Sequence, residues 1–308
     1  MKLIFAAPEL DPSSWLPAIQ AAIPDAELQV YGSEPEDYNA DYALVWLPPA
    51  GFFGSQPQLK AIINLGAGVD KLLAQPDFPD DVPLLKLRDA GMGPVILDYV
   101  RYGLLHFGRG FDRYRADQTQ RQWQPLEWQN PYERKIVVLG TGAIGQTVAK
   151  GLVSDGYAVR SWGRSEKQVD GVEVFVGPER LQPCLNDADV LINLLPCTPL
   201  TRGLIGAEQL GWLNEGATVI SAGRGEVIQE CAMVDALQSG QLRGALLDVF
   251  EQEPLPENSL LWQLDQVIIT PHIAGPTLID GAICQIREYI GSIENGNAVH
   301  LVSKTAGY

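Results

Sequence analysis

The chain has 308 residues, of which 22 are Lys or Arg and 38 are Asp or Glu, giving a formal net charge of -16 at pH 7. That length exceeds the usual size of one compact core and predicts two domains. The acidic balance repels phosphate backbones and anionic membranes, which argues against nucleic acid as a partner; an anionic small molecule can be held only where cations converge locally. The opening "MKLIFAAPELDP" reads as a first strand, because its apolar run reaches Asp11 and Pro12 too soon for a signal peptide. No apolar stretch approaches the ~20 residues of a membrane span, and "YALVWLPPAGFFG" is broken by a double proline. Cys184, Cys197, Cys231 and Cys284 follow neither metal-ligand nor disulfide spacing. Buried free thiols in a reducing, cytoplasmic compartment are therefore expected, with no metal.

Short apolar runs alternate with helix-length segments, the pattern of parallel sheets. "KLIF", "YALVW", "AIINLG" and "PLLKL" come first; "KIVVLG", "VLINLLP", "ATVISAG", "GALLDVF" and "VIIT" come later. Between the sets, "PVILDYVRYGLLHFGRGFDRYRADQTQ" opens with Pro94 at a helix start and runs for several turns. The polar "RQWQPLEWQNPYER" then reads as a surface segment leading into a new core. The first boundary is placed near residue 98, with 1–98 and 285–308 forming one domain and 99–284 the other. The last helical stretch, "TLIDGAICQIREYIGSIENG", is long enough to carry the chain back.

In "KIVVLGTGAIGQTVAKGL" a buried-strand pattern precedes Gly140, Gly142 and Gly145 and a helix follows. This G-x-G-x-x-G spacing suits a dinucleotide: a tight turn, close backbone approach to a pyrophosphate, and close helix packing, with amides at Ala143 and Ile144 near the helix start. A tight turn without ligand is the alternative. The following strand, in "YAVRSWGRSEKQ", ends without the acid that bonds the ribose hydroxyls of NAD. Gly163, Arg164 and Ser165 stand there, and a guanidinium with a hydroxyl suits a 2′-phosphate, so NADP(H) is preferred and NAD(H) is weaker. A solvated turn is the competing reading of Arg164.

Only three histidines are present. His106 lies in an apolar helix and His300 near the C-terminus. His272 follows "VIIT" at a strand end, where ligand crevices form in parallel sheets. "VISAGRGEVI" presents Arg224 beside flexible glycines, and "GALLDVFEQEPLP" presents Asp248 and Glu253. Serial placement after successive strands gathers a guanidinium, a carboxylate and an imidazole, a set suited to hydride transfer.

"LGTGAIG", "LINLLPCTPLTRGLI", "SAGRGEVI", "LLDVFEQEPLP" and "TPHIAG" come in the order found in the D-isomer-specific 2-hydroxyacid dehydrogenases. The chain resembles that family over most of its length. With "LVWLPP", "LGAGVD", "RDAGMG" and the terminal "GY", it looks closest to the bacterial glyoxylate/hydroxypyruvate reductase branch. The resemblance implies an α/β fold in which a Rossmann-type, doubly wound parallel sheet is inserted in a smaller flavodoxin-like substrate domain. It implies reduction of a small 2-oxoacid such as glyoxylate or hydroxypyruvate by NADPH. Arg224 then binds carboxylate and carbonyl, His272 is the general acid, and Glu253 is its partner and favours the protonated ring. The "GAG" turn maps carboxylate-binding amides onto Ala67 and Gly68, and Trp46 becomes an apolar wall of the substrate pocket. Leu195, Pro196, Thr198 and Ala222 fall on cofactor loops, and Asp248 resembles the acceptor of the nicotinamide carboxamide. A homodimer is implied by the family alone.

Two alternatives stay open. Some relatives with this fold are nucleotide-sensing binding proteins without turnover. An NAD-linked dehydrogenase of a larger D-2-hydroxyacid, or of phosphoglycerate, is the other, although Lys71 is the only cation immediately beside "LGAGVD".

Overall fold

A computed structural model describes residues 1–33 and 38–304, so the terminal pair Gly307 and Tyr308 lies outside the described residues. The chain divides into two compact units, Met1–Gly91 with Thr277–Tyr308, and Met92–Pro276.

The first unit contains β1 (Lys2–Ala6), α1 (Pro12–Ala22), β2 (Glu27–Val30), β3 (Tyr42–Val45), β4 (Ala61–Asn64), α2 (Asp70–Leu73) and β5 (Leu84–Lys86). Asp11 caps α1 by accepting the N–H of Ser13 at 3.0 Å, and Pro12 opens the helix where its missing N–H costs nothing. The strands are parallel in the order β2-β1-β3-β4-β5. Every residue of β3 and β4 is buried, as expected for parallel strands covered on both faces. Ile4, Val45, Phe52, Ile62 and Leu84 belong to the core on one side of this sheet.

The second unit contains α3 (Met92–Gly108), α4 (Phe111–Gln120), β6 (Lys135–Leu139), α5 (Ala143–Ser154), β7 (Ala158–Gly163), β8 (Val172–Val176), α6 (Leu181–Leu185), β9 (Val190–Asn193), α7 (Ala207–Leu210), β10 (Ala217–Ser221), α8 (Glu230–Ser239), β11 (Leu242–Leu247) and β12 (Val267–Ile269). Its sheet is parallel throughout, in the order β12-β11-β10-β9-β6-β7-β8. The chain builds outward from β6 through β7 to β8, then returns to the other side of β6 and builds through β9 to β12. The order therefore reverses between β6 and β9, and ligands bind outside the carboxyl ends of strands at such a switch. α9 (Ile279–Glu294) then returns the chain to the first unit, where Tyr289 donates to the Lys86 carbonyl at 2.9 Å and Gln285 bonds both the N–H and the carbonyl of Arg88.

The division at 91/92 and 276/277 differs from the boundaries at 98/99 and 284/285 drawn from sequence. Those positions fall inside α3 and α9, and a continuous helix is one hydrogen-bonded body; the division lies in the irregular residues before each. The stretch from Pro94 to Gln120 is also two helices, because Gly110 adopts a left-handed φ of 68° between them.

Candidate active site

The turn after β6 carries the three glycines. Gly140 has φ 115°, a conformation that a side chain would strain, and a Cβ on Gly145 would sit 2.0 Å from the Gly140 carbonyl oxygen. Gly142 differs: with φ -70°, its missing Cβ faces open space. Two of the glycines are thus demanded by the fold, while nothing among the described residues crowds the middle one. Open space beside the N-terminus of α5, near the unbonded first-turn amides of Ala143 and Ile144, fits close approach of an anionic group. Gln146 closes the turn by donating its Nε2 to the Thr141 carbonyl at 2.9 Å.

β7 pairs with β6, and the Gly140 N–H donates to the Trp162 carbonyl at 2.8 Å, so Gly163 and the glycine turn lie at neighbouring strand ends. A Cβ on Gly163 would meet Thr141 Oγ1 at 2.2 Å. Packing against Thr141 therefore excludes any larger residue there, an acid included. Arg164 and Ser165 follow directly and are exposed, as is Lys167, which sequence reading did not single out.

Three loops after β9, β10 and β11 are locked together. Asn193 at the end of β9 is fully buried and donates to Ser221 Oγ and to the Arg224 carbonyl, each at 3.1 Å, while its Oδ1 accepts the Leu195 N–H. The N–H of Ala222 donates to the Asn193 carbonyl at 3.0 Å. Thr201 accepts the N–H of Thr198 at 2.8 Å and donates to the Pro196 carbonyl at 2.6 Å, fixing the loop that holds Leu195, Pro196 and Thr198. The glycines beside Arg224 are not flexible but closely packed. A Cβ on Gly223 would lie 2.6 Å from the Leu195 carbonyl oxygen, and one on Gly225 would lie 2.1 Å from the Phe250 carbonyl carbon. Backbone approaches on both sides hold Arg224 on a rigid turn, and its Nη1 donates to the Gly223 carbonyl at 3.0 Å.

At the end of β12, His272 Nδ1 lies 3.0 Å from Glu253 Oε2. The other oxygen of Glu253 accepts the N–H of Phe250 at 3.3 Å. The His272 side chain is 43% exposed, so a substrate can reach the ring while its Nδ1 is engaged. Asp248 is 1% exposed and spends both oxygens within the chain: Oδ1 accepts Thr270 Oγ1 at 2.6 Å and the Ile273 N–H at 2.8 Å, and Oδ2 accepts the Ala274 N–H at 2.8 Å. It therefore organises the loop bearing His272, a task that its resemblance to a carboxamide acceptor does not suggest. Arg224, Asp248 and His272 follow β10, β11 and β12, which are neighbours in the sheet.

In the first unit, Asn64 at the end of β4 donates to the carbonyls of Gly66 and Gly68 at 2.9 and 2.8 Å, holding the turn that contains Ala67. Gly66 is the residue on which Trp46 packs; a Cβ there would lie 2.2 Å from the indole. Trp46 and the turn thus form one surface, although their sequence separation conceals it. His106 and His300 join none of these groups: His106 stacks edge-on with Phe107, and burial lowers its proton affinity. Among the described residues, no cluster of three or more His, Cys, Asp or Glu could hold a metal, and no helix is long and apolar enough to cross a membrane.

Residues 102–274 match the family model of the D-isomer specific 2-hydroxyacid dehydrogenase, NAD binding domain. The chain belongs to this family. Across its full length it is 41% identical to a glyoxylate/hydroxypyruvate reductase A of Salmonella paratyphi B, over 314 aligned positions and 100% of both chains. It superposes with a TM-score of 0.95 on a D-isomer specific 2-hydroxyacid dehydrogenase of Xanthobacter autotrophicus solved with NADPH and MES, at 39% identity over 100% of this chain and 99% of that one. An NADPH-dependent glyoxylate/hydroxypyruvate reductase of Sinorhizobium meliloti, solved with NADP and sulfate, gives 0.93 at 32% identity over 100% and 99%. Membership of the 2-hydroxyacid dehydrogenase family accounts for the two parallel sheets.

Proposed function

We propose that the protein reduces a small 2-oxoacid, glyoxylate or hydroxypyruvate, to the corresponding D-2-hydroxyacid with NADPH as reductant. The observation that carries this reading is the 3.0 Å pair of His272 and Glu253 at the carboxyl edge of the sheet, which joins the loop after β12 to the loop after β11 that also carries Asp248. The carbonyl carbon would receive a hydride, the chemistry that NADPH would supply when held at the glycine turn. As the oxygen gains charge, His272 donates a proton from Nε2, the nitrogen that Glu253 leaves available. Glu253 holds the ring by Nδ1. Arg224 binds the substrate carboxylate and carbonyl oxygen, and its guanidinium opposes the developing negative charge.

Gly140, Gly142, Ala143, Ile144 and Gly145 hold the pyrophosphate, with Leu195, Pro196, Thr198 and Ala222 lining the cofactor. Arg164 and Ser165 take the 2′-phosphate, the basis of preference for NADPH over NADH. In the first unit, the amides of Ala67 and Gly68 receive a carboxylate and Trp46 offers an apolar wall. The relatives named above, which include glyoxylate/hydroxypyruvate reductases and structures solved with NADPH or NADP, support the substrate and cofactor.

A homodimer is part of the proposal. Tyr102, Leu105 and Phe111 on α3 and α4 are exposed, and in the following segment Trp123 is 98% and Trp128 72% exposed. Apolar surface on this scale marks an association site. Cytoplasmic residence is supported by four free cysteines, although only Cys184 and Cys197 are buried as the sequence suggests, while Cys231 and Cys284 are exposed; burial pushes the Cys184 thiol up to about 12. The functional test follows loss of reduced-nicotinamide absorbance with glyoxylate, hydroxypyruvate, pyruvate and phenylpyruvate, each with NADPH and NADH. Turnover of the two small acids with NADPH is expected. No turnover with any pair overturns the reading and leaves a nucleotide-binding protein.

A further inference from the structure

His272 adopts φ 54°, a left-handed conformation that a residue with a Cβ occupies only when its surroundings impose it. Those surroundings are three successive amides converging on one residue. The N–H of His272 donates to the Asp248 carbonyl at 2.9 Å, that of Ile273 to Oδ1 and that of Ala274 to Oδ2, each at 2.8 Å. Asp248 is in turn approached by Thr270 Oγ1 at 2.6 Å, which commits the one hydroxyl proton of Thr270. Tyr99 Oη lies 2.7 Å from the same Oγ1, so Tyr99 is the donor in that contact. Burial pushes the Tyr99 phenol up, and it stays protonated as a donor at working pH. The hydrogen bonds run in one direction, from Tyr99 on α3 through Thr270 to the Asp248 carboxylate. Chains of this kind polarise and strengthen one another.

We propose that Tyr99 and Thr270 are positioning residues for the proton donor: with Asp248 they form a relay that fixes the His272 loop in its left-handed conformation and so places the imidazole. The proposal rests on reading His272 as the general acid. It matters because, among the described residues, Glu253 is the side chain bonded to the half-exposed ring, so the ring's location depends also on the backbone beneath it. A displacement of ~1 Å at such a group costs about a hundredfold in rate.

Thr270→Val removes both hydroxyl bonds at nearly constant volume, Thr270→Ser keeps them, and Tyr99→Phe removes only the outer one. Thr270→Val is expected to lower kcat by about 10- to 100-fold with the oxoacid KM changed less than about threefold. Thr270→Ser is expected to keep kcat within about threefold of the parent, with Tyr99→Phe between the two. A second readout does not depend on turnover. The three histidines give three imidazole Cε1–H cross-peaks in NMR spectra. The peak assigned to His272 by its loss in His272→Gln should move or broaden in Thr270→Val and Tyr99→Phe, while those of His106 and His300 hold. Wild-type kcat and an unmoved His272 peak in Thr270→Val overturn the relay, as does Thr270→Ser impaired as deeply as Thr270→Val. Should Thr270→Val fail to fold, an unmoved peak and unchanged kcat in Tyr99→Phe overturn it equally. If the wild-type protein shows no oxoacid turnover, the functional reading fails, and the His272 peak still decides whether the relay holds the ring.

Discussion

Nδ1 of His272 lies 3.0 Å from Oε2 of Glu253, while Oε1 of the same carboxylate accepts the N–H of Phe250 at 3.3 Å. The carboxylate is thus held at one oxygen by the backbone and presents the other to the imidazole. This arrangement fixes which ring nitrogen faces outward, which a proton donor needs. His272→Gln is expected to lower kcat by ~10² to 10⁴ with cofactor affinity retained. Glu253→Gln keeps the shape and loses the charge, so its deficit should be smaller. Steady-state rates beside a fluorescence titration of the cofactor check both; near-normal turnover in His272→Gln removes the mechanism.

The glycine turn separates folding from binding within three residues. Gly145→Ala drives a methyl group to 2.0 Å from a backbone oxygen and should lower the melting temperature sharply. Gly142→Ala meets open space at an ordinary φ of -70°, so its stability should be unchanged or up to ~1 kcal/mol higher, because alanine restricts the unfolded chain. Its cofactor affinity should nevertheless fall, since the methyl group occupies the approach to the helix amides. Thermal melts and cofactor titrations of the pair decide; Gly142→Ala with parental cofactor affinity argues against a pyrophosphate there.

Arg164 stands, exposed, one residue beyond the end of β7. A charge-assisted hydrogen bond to a 2′-phosphate is worth ~1.5 to 3 kcal/mol, so Arg164→Ala should raise the KM for NADPH by about 10- to 100-fold. The KM for NADH, which lacks that phosphate, should move little. Equal effects on the two cofactors would show that the guanidinium does not discriminate between them.

What could be read from the chain alone follows from where the chemistry sits. Arg224 and His272 each stand within a few residues of an apolar run whose end they mark, and the glycine turn is contiguous. Residues that hold these groups in place act across long separations: Tyr99 and Thr270 are 171 residues apart, and Asn193 reaches Arg224 across 31. Single polar residues inside apolar segments carry no mark of such partners. Gly223 and Gly225 look flexible in sequence, whereas their missing side chains admit the Leu195 and Phe250 backbones. β2, a four-residue strand, "ELQV", at the edge of its sheet, shows one exposed residue and three partly exposed ones instead of the continuous apolar run by which the interior strands are recognised. The unit boundaries were displaced for a related reason, since a helix pattern shows where turns continue but not which core they serve.

Glu294, the last residue of α9, accepts hydrogen bonds from the Tyr42 hydroxyl at 2.5 Å and from Lys60 Nζ at 3.0 Å, tying the helix end to the sheet of the first unit. The Tyr42 hydroxyl chiefly, and Lys60 with it, holds the Glu294 carboxyl below the usual carboxylate range. A carboxyl whose folded value lies below its unfolded one contributes stability that is complete above the unfolded value, about 4.3, and is lost as pH falls through the folded value. The ion pair is largely solvent-exposed and therefore screened, so its share is small. Glu294→Gln should accordingly melt only about one to two degrees below the parent at neutral pH, with the difference shrinking as the pH is taken below the carboxylate range. Melting curves across that range test the sign: a gap that stays constant or widens in acid shows that the charge on Glu294 is not what secures the helix end.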